Sequence, residues 1–104
     1  MLERIKSIVI ENITDANFSI DFLARALATS RAKLYQEVKR ITGMTANQYV
    51  RSIRLERAKM YLENQTYATV KEVANQIGFQ RVDYFVTLYI EAYGKSPSTY
   101  YKQA

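Results

Sequence analysis

Apolar residues recur every three or four positions along most of the chain, which is the period of amphipathic α-helices. The pattern predicts a first helix over residues 2–13, a short helix over residues 19–28 and a longer one over residues 31–41. Ser19 and Ser30 stand where the second and third helices begin, and a hydroxyl side chain suits this N-cap position. The residues predicted to face the core are Leu2, Ile5, Ile8, Val9, Ile13, Ile20, Leu23, Ala24, Leu27, Leu34, Val38 and Ile41.

The longest predicted helix spans residues 45–63 and contains no Gly or Pro. Thr45 and Gln48 have the spacing of a capping box, in which each side chain bonds an N–H at the helix start. Gly43 suits the left-handed residue that ends the preceding helix. The apolar residues at helical spacing are Tyr49, Val50, Ile53, Ala58, Tyr61 and Leu62.

The last third of the chain has similar signals for helix starts and stops. Thr69 and Glu72 form a second capping-box spacing, and Gly78 breaks the short helix that follows. A longer helix is predicted over residues 81–93, and a short final helix begins at Pro97 because Pro is favoured at the first helical position. The predicted core residues here are Val70, Val73, Ala74, Ile77, Phe85, Leu88, Tyr89 and Ala92.

The two halves of the chain match each other when they are superposed. An offset of 50 residues aligns the short helix after Ser19 with the one after Thr69, and an offset of 51 aligns the longer helices that follow. Each copy is a short helix, a brief turn and a longer helix, which is the organisation of a helix-turn-helix unit. We therefore predict an all-α fold of about seven helices, with helix-turn-helix subdomains over residues 1–44 and 64–104 and a linker helix over residues 45–63.

The composition removes several function classes. The absence of cysteine excludes disulfides and thiolate metal sites, and the absence of histidine removes the commonest general base and metal ligand. No apolar run of 18 residues is present, so we expect no membrane contact. We find no catalytic motif and no phosphate-binding glycine loop, and we expect a cytoplasmic protein that has no enzymatic activity, no cofactor and no metal.

Positive charge is concentrated in the middle of the chain. Residues 31–59 hold eight basic and two acidic residues, a net charge of +6, whereas the whole chain carries +5. A focused positive field favours a polyanionic partner, although an ordinary solvated surface would show the same count. In a DNA-binding helix-turn-helix the second helix enters the major groove, so two linked units could read successive grooves of one duplex.

Several motifs resemble the DNA-binding domain of AraC/XylS-type bacterial transcription regulators. They are S-I-D-F-L-A, S-R-A-K-L-Y, R-I-T-G-M-T-A-N-Q-Y-V-R-S-I-R-L-E-R-A-K, V-A-N-Q-I-G-F, Y-F and G-K-S-P-S-T-Y, and they cover residues 5–102. The run over residues 34–62 is similar to that of hybrid two-component regulators. The resemblance implies double-stranded DNA and RNA polymerase as partners. It also implies a larger regulator that dimerises through a portion absent from this sequence.

The resemblance also implies which residues contact DNA. In the first unit, Arg31, Ala32, Tyr35 and Gln36 would face bases, and Ser30 and Lys39 would face phosphates. In the second unit, the groove-facing residues would be Arg81, Val82, Asp83, Val86 and Thr87. The family commonly has Arg where Gln36 stands, often Arg at the Thr87 position and Lys at the Ile90 position.

The two predicted recognition helices differ in charge. Residues 81–91 hold one basic and two acidic residues, a net charge of −1, which phosphates would repel. We therefore predict an asymmetric reader in which the first unit supplies most of the affinity. The second unit would dock weakly or depend on a dimer of the longer protein.

Other aromatic and charged residues have structural interpretations beside the functional ones. Helical spacing favours core packing of Tyr84, Phe85 and Tyr89 over base stacking. Arg54 and Glu56 lie in the middle of the linker helix, where a structural role is favoured over DNA contact.

Three functional hypotheses follow from the sequence. The first is sequence-specific binding of duplex DNA in transcription regulation. The second is a helical protein-interaction module with weak or lost DNA binding, which the poor second recognition helix supports. The third is RNA binding, which lacks the aromatic platforms typical of single-strand recognition.

Overall fold

A computed structural model describes residues 1–15 and 17–101 of the chain. Residue 16 and residues 102–104, which belong to the predicted first and second subdomains, lie outside the described residues. Within the described residues the structure contains six α-helices, one 3₁₀ helix and no strand, which confirms the predicted all-α fold. The elements are α1 (Leu2–Glu11), α2 (Ile20–Ala26), α3 (Arg31–Thr42), α4 (Ala46–Glu63), α5 (Val70–Gln76), α6 (Val82–Tyr93) and a 3₁₀ helix (Pro97–Tyr101).

The helices pack as two compact units, Met1–Arg54 and Leu55–Ala104. The division falls within α4, which contributes residues to both units. The predicted division into residues 1–44, 45–63 and 64–104 treats this helix as a separate linker, and it stays a prediction.

The first unit is built around apolar side chains from α1, α2, α3 and the start of α4. Each fully buried aliphatic side chain of this kind stabilises a fold by about 1.5–3 kcal/mol. The capping box at the start of α4 is complete, because the Gln48 N–H donates to Thr45 Oγ1 at 3.1 Å and the Thr45 N–H donates to Gln48 Oε1 at 3.0 Å. The core residues are Ile5, Val9, Leu23, Ala24, Leu34, Val38, Ala46, Val50 and Ile53.

One arginine belongs to the interior of this unit. Arg54 is 9% exposed, and its Nη1 donates a hydrogen bond to the carbonyl oxygen of Ile13 at 2.8 Å. Its guanidinium carbon lies 5.7 Å from the centroid of the Phe18 ring. Burial lowers the pKa of Arg54, and the negative charge of Asp15 opposes that effect. These contacts support the structural role predicted for Arg54.

The second unit has a more aromatic interior. The rings of Phe85 and Tyr89 lie 5.8 Å apart, and the Tyr89 and Tyr100 hydroxyls are hydrogen-bonded at 2.9 Å. The Tyr101 hydroxyl donates to the carbonyl oxygen of Tyr67 at 2.8 Å, which ties the 3₁₀ helix to the connection before α5. The buried apolar residues are Leu55, Ala58, Leu62, Val73, Ala74, Ile77, Phe85, Leu88, Tyr89 and Pro97.

The internal repeat extends to the backbone. Both short helices have seven residues and both longer helices have twelve. In the two turns, Ala28 and Gly78 adopt φ values of 55° and 85°, and the longer helices end at glycines with φ values of 76° and 77°. The second turn is one residue longer, as the change in sequence offset predicts.

Two core predictions are wrong at the same position of the repeat. Ile41 is 45% exposed, and Ala92, its counterpart 51 residues later, is also exposed. Both lie in the last turn of a twelve-residue helix, just before the glycine where the chain reverses. Helical spacing places both residues on the same side of the helix as its buried residues, but no described element packs against that end of the helix.

Candidate nucleic-acid interface

Helix α3 is held against the first core by its inner face, where Leu34 and Val38 are buried. Ser30 Oγ accepts a hydrogen bond from the Lys33 N–H at 3.1 Å, so this hydroxyl caps the helix. The outer face is therefore presented to solvent in a fixed orientation. Of the residues predicted to meet DNA here, all are exposed except the half-buried Tyr35: Ser30, Arg31, Ala32, Tyr35, Gln36 and Lys39.

Arg31 is held at the N-terminal end of this face by a residue of α2. Its Nε lies 3.2 Å from Asp21 Oδ1, and its guanidinium carbon lies 6.0 Å from the centroid of the Tyr35 ring. The Tyr35 side chain and then the charge of Asp21 raise the pKa of Arg31. These two contacts favour one orientation of the charged side chain in the absence of a ligand.

The middle of the α3 face carries an uncommitted amide. Gln36 is exposed, and within the described residues its side-chain amide makes no hydrogen bond. Its amide can donate and accept at once, which is the pattern that pairs with adenine in the major groove. A hollow of about 340 Å³ lies beside it, lined by Tyr35, Gln36, Lys39, Thr45 and Ala46.

Two further cations at the C-terminal end of α3 have local partners. Lys39 Nζ donates to the carbonyl oxygen of Gly43 at 2.9 Å, which supports the end of the helix. Arg40 Nη2 lies 2.7 Å from Glu37 Oε2. Both pairs are exposed, so each cation can exchange its partner for a phosphate at low cost.

Helix α6 occupies the corresponding place in the second unit. Its inner face is anchored by Phe85, Leu88 and Tyr89, which are buried. The residues predicted to meet DNA fall into two groups. Arg81, Asp83 and Thr87 are exposed, whereas Val82 and Val86 are half-buried.

The polar groups at the start of α6 are engaged with one another. Arg81 Nη2 donates to Asp83 Oδ2 at 2.6 Å and its Nε donates to Asp83 Oδ1 at 3.2 Å. This pair raises the pKa of Arg81 and lowers the pKa of Asp83. The Thr87 hydroxyl donates to the backbone carbonyl oxygen of Asp83 at 3.1 Å. At the predicted DNA-contacting positions, the polar side chains of the second unit are thus all bonded internally, whereas the first unit keeps the amide of Gln36 free.

The structure adds three residues near these faces that sequence reasoning did not place there. Asp21 contacts Arg31, and on α6 Ile90 and Tyr84 are 43% and 47% exposed. The prediction that Tyr84 packs in the core is wrong, because the residue is largely exposed and its ring lies 6.0 Å from that of the half-buried Phe79, whereas Phe85 is buried as predicted. The sequence offered one signal for Asp21, which is that an acidic residue stands in the first turn of α2.

Residues 1–15 and 17–101 contain no cluster of three or more acidic, histidine or cysteine side chains that could hold a metal ion. None of the described helices is both long enough and apolar enough to cross a membrane.

Comparison with known proteins identifies the family. The profile described as "Helix-turn-helix domain" matches residues 23–103 of this chain. The chain belongs to the AraC/XylS family of DNA-binding domains. This AraC-type domain is 31% identical to the C-terminal domain of the two-component response regulator yesN from Fusobacterium nucleatum. The two structures agree with a TM-score of 0.81 over 96% of each chain.

Two further relatives are a domain solved with DNA and a much longer kinase. The DNA-binding domain of AdpA, a global transcriptional factor solved in complex with a target DNA, is 25% identical to this chain. It matches with a TM-score of 0.82 over 95% of this chain and 87% of its own. Histidine kinase P4 from Formosa agariphila is 28% identical over 100 residues. That match covers 96% of the AraC-type domain but only 7% of the kinase's length.

Proposed function

We propose that this AraC-type domain binds double-stranded DNA in a sequence-specific way in bacterial transcription regulation, with α3 as its principal reading element. The observation that carries the proposal is the outer face of α3, where an oriented arginine and an uncommitted amide stand on a helix fixed by its core residues. The related AdpA domain was solved with a target DNA, which supports the same ligand class.

The contacts of α3 suggest a role for each predicted residue. Asp21 engages Arg31 through Nε, so the terminal guanidinium nitrogens can address the O6 and N7 atoms of guanine. Gln36 would pair with adenine. Ala32 and Tyr35 would contact bases beside them. Ser30 and Lys39 would face the phosphates, where Lys39 gives up its exposed bond to the Gly43 carbonyl.

The second unit would contribute less to affinity. Asp83 neutralises the charge of Arg81 and would itself be repelled by phosphates. The Thr87 hydroxyl is bonded within the helix, and Val82 and Val86 offer no polar group. We therefore propose an asymmetric reader in which α6 approaches a neighbouring major groove and binds it weakly. The alternative is that α6 serves as a protein-interaction surface, which its exposed Tyr84 and Ile90 favour.

Several wider properties belong to the same proposal. The chain spans only 7% of the length of histidine kinase P4. The properties of any longer protein that contains this domain are therefore part of the proposal. We propose that the domain acts in the cytoplasm without catalysis of its own and contacts RNA polymerase at promoters. Dimerisation would involve other parts of a longer protein, as in a two-component regulator.

A substitution scan tests the asymmetry. A duplex is first selected from a random pool with the wild-type domain, and dissociation constants are then measured for Arg31→Ala, Gln36→Ala, Arg81→Ala and Thr87→Ala. Arg4→Ala, an exposed arginine of α1, controls for the loss of one positive charge.

We expect the two α3 variants to weaken binding about tenfold or more, as loss of a bidentate base contact worth about 1–3 kcal/mol would do. The two α6 variants should lose about fivefold or less, because Thr87→Ala removes one methyl contact worth about 0.8 kcal/mol and Arg81→Ala removes an arginine that is already paired with Asp83. Equal losses in both helices would contradict the asymmetric reader. Failure to select any duplex would favour the protein-interaction alternative.

A further inference from the structure

The outer side of α6 carries a row of methyl-bearing side chains. Val82, Val86 and Ile90 follow one another at intervals of four residues, and Thr87 lies beside them, so the four share one side of the helix. Thr87 and Ile90 are exposed, and Val82 and Val86 are half-buried. We call these four residues the methyl stripe.

The polar side chains at the N-terminal end of the methyl stripe are already bonded within the domain. The Thr87 hydroxyl donates its proton to the Asp83 carbonyl, so it has no donor left for a ligand, and the methyl group of this exposed side chain adds to the apolar surface. Arg81 and Asp83 bond each other through two contacts of 3.2 and 2.6 Å. The outer side of α6 therefore presents methyl groups, and the charges of Arg81 and Asp83 at its start neutralise each other.

The internal repeat places the methyl stripe where α3 reads its ligand. The offset of 51 residues takes Arg31 to Val82, Tyr35 to Val86, Gln36 to Thr87 and Lys39 to Ile90. Every residue of the stripe is thus the counterpart of a residue proposed to touch DNA in the first unit. The second helix retains the placement and replaces polar groups with methyl groups.

We infer that α6 recognises thymine by packing the methyl stripe against the C5 methyl groups on the major-groove edge of A·T pairs. This inference rests on the proposed function and names the base that the second unit prefers. Thymine is the one DNA base that presents a methyl group in the major groove, and apolar side chains contact it there. Such contacts need no cation, which agrees with the net charge of −1 over residues 81–91.

The test compares thymine with uracil, which lacks only the C5 methyl group. Dissociation constants are measured by fluorescence anisotropy for the selected duplex and for versions in which single thymines are replaced by deoxyuridine. The proteins are the wild type, Thr87→Ser and Val86→Ala. Thr87→Ser retains the hydroxyl that bonds Asp83 and removes the methyl group, so the helix start is preserved. Thr66→Ser, at an exposed threonine before α5, is the matched control.

The expected result is a loss of about fourfold in affinity for each critical thymine, the equivalent of about 0.8 kcal/mol per buried methyl group. Thr87→Ser or Val86→Ala should abolish the difference between thymine and uracil at one position while binding the uracil duplex as the wild type does. Thr66→Ser should keep the full difference.

Three results would overturn the inference. Equal binding of thymine and uracil duplexes by the wild type would show that methyl groups are not read. A thymine preference that persists in both α6 variants would show that another element contacts the thymine methyl groups. The methyl stripe would then be explained better as a contact surface for a protein partner. Absence of binding to any duplex would overturn the proposed function as well, so the two failures are distinguishable.

Discussion

Replacing Arg54 with methionine should destabilise the first unit, because this arginine is a buried charged residue with a specific partner. Its Nη1 donates to the Ile13 carbonyl at 2.8 Å, and its side chain is only 9% exposed. Methionine fills much of the same volume but cannot donate a hydrogen bond. The substitution therefore removes the bond and the cation while retaining part of the packing.

The magnitude follows from opposing terms. Loss of a hydrogen bond from a charged donor to a buried carbonyl costs about 1.5–3 kcal/mol. Loss of the interaction with the Phe18 ring, 5.7 Å from the guanidinium carbon, adds about 0.5–1 kcal/mol. Burial of the charge is itself unfavourable, as the lowered pKa of Arg54 indicates, and methionine removes that penalty. We expect a net loss of about 2 kcal/mol.

Urea unfolding followed by circular dichroism measures this loss. With a slope of about 1–3 kcal/mol per molar urea, the midpoint should fall by roughly 1 M. Arg51→Met, at a half-buried arginine of the same helix, removes an equal charge and should change the free energy of unfolding by less than about 0.5 kcal/mol. Equal midpoints for the two variants would refute the structural role of Arg54.

Two other predictions concern the turns and the aromatic core. Gly78→Ala should lower the free energy of unfolding, measured in urea, by about 1–2 kcal/mol, because φ is 85° at this position. Ala28→Gly, at φ 55°, should change it by less than about 1 kcal/mol. Equal effects of the two substitutions would contradict this account. Burial, followed by the Tyr100 hydrogen bond, raises the pKa of Tyr89 above its usual value of about 10. The folded state therefore holds this proton more tightly, and its stabilising effect is present below pH 10 and declines as the pH rises further. Free energies of unfolding measured from pH 8 to 11 should decline less steeply in Tyr89→Phe than in the exposed-tyrosine control Tyr84→Phe, and identical slopes would contradict the assignment.

Much of the fold could be predicted because its determinants are local. Ser19, Ser30 and Thr69 accept the N-cap hydrogen bonds that their positions indicate. The repeat offset locates both turns and the extra residue in the second. The exposed ends of α3 and α6 were mispredicted because periodicity does not show where the surrounding core ends.

The candidate interface was harder to predict, because it depends on which neighbours a flexible side chain meets. The pairing of Arg31 with Asp21 joins two helices, and no spacing rule indicates it. The pairing of Arg81 with Asp83 is close in sequence, but their charges alone do not show that both groups are engaged. These contacts support the asymmetry that net charge suggested and offer a physical cause for it. The first unit keeps the free amide of Gln36, whereas Arg81, Asp83 and Thr87 at the start of α6 are bonded internally.

The most direct test of the central claim is the salt dependence of duplex binding. The AraC-type domain is titrated into a labelled mixed duplex pool, and fluorescence anisotropy gives the dissociation constant at several salt concentrations. We predict that binding weakens with salt and that the log–log slope corresponds to about four to seven phosphates, or a magnitude of roughly 4–6. Absence of duplex binding at low salt, or tighter binding to the single strands of the same pool, would contradict the account.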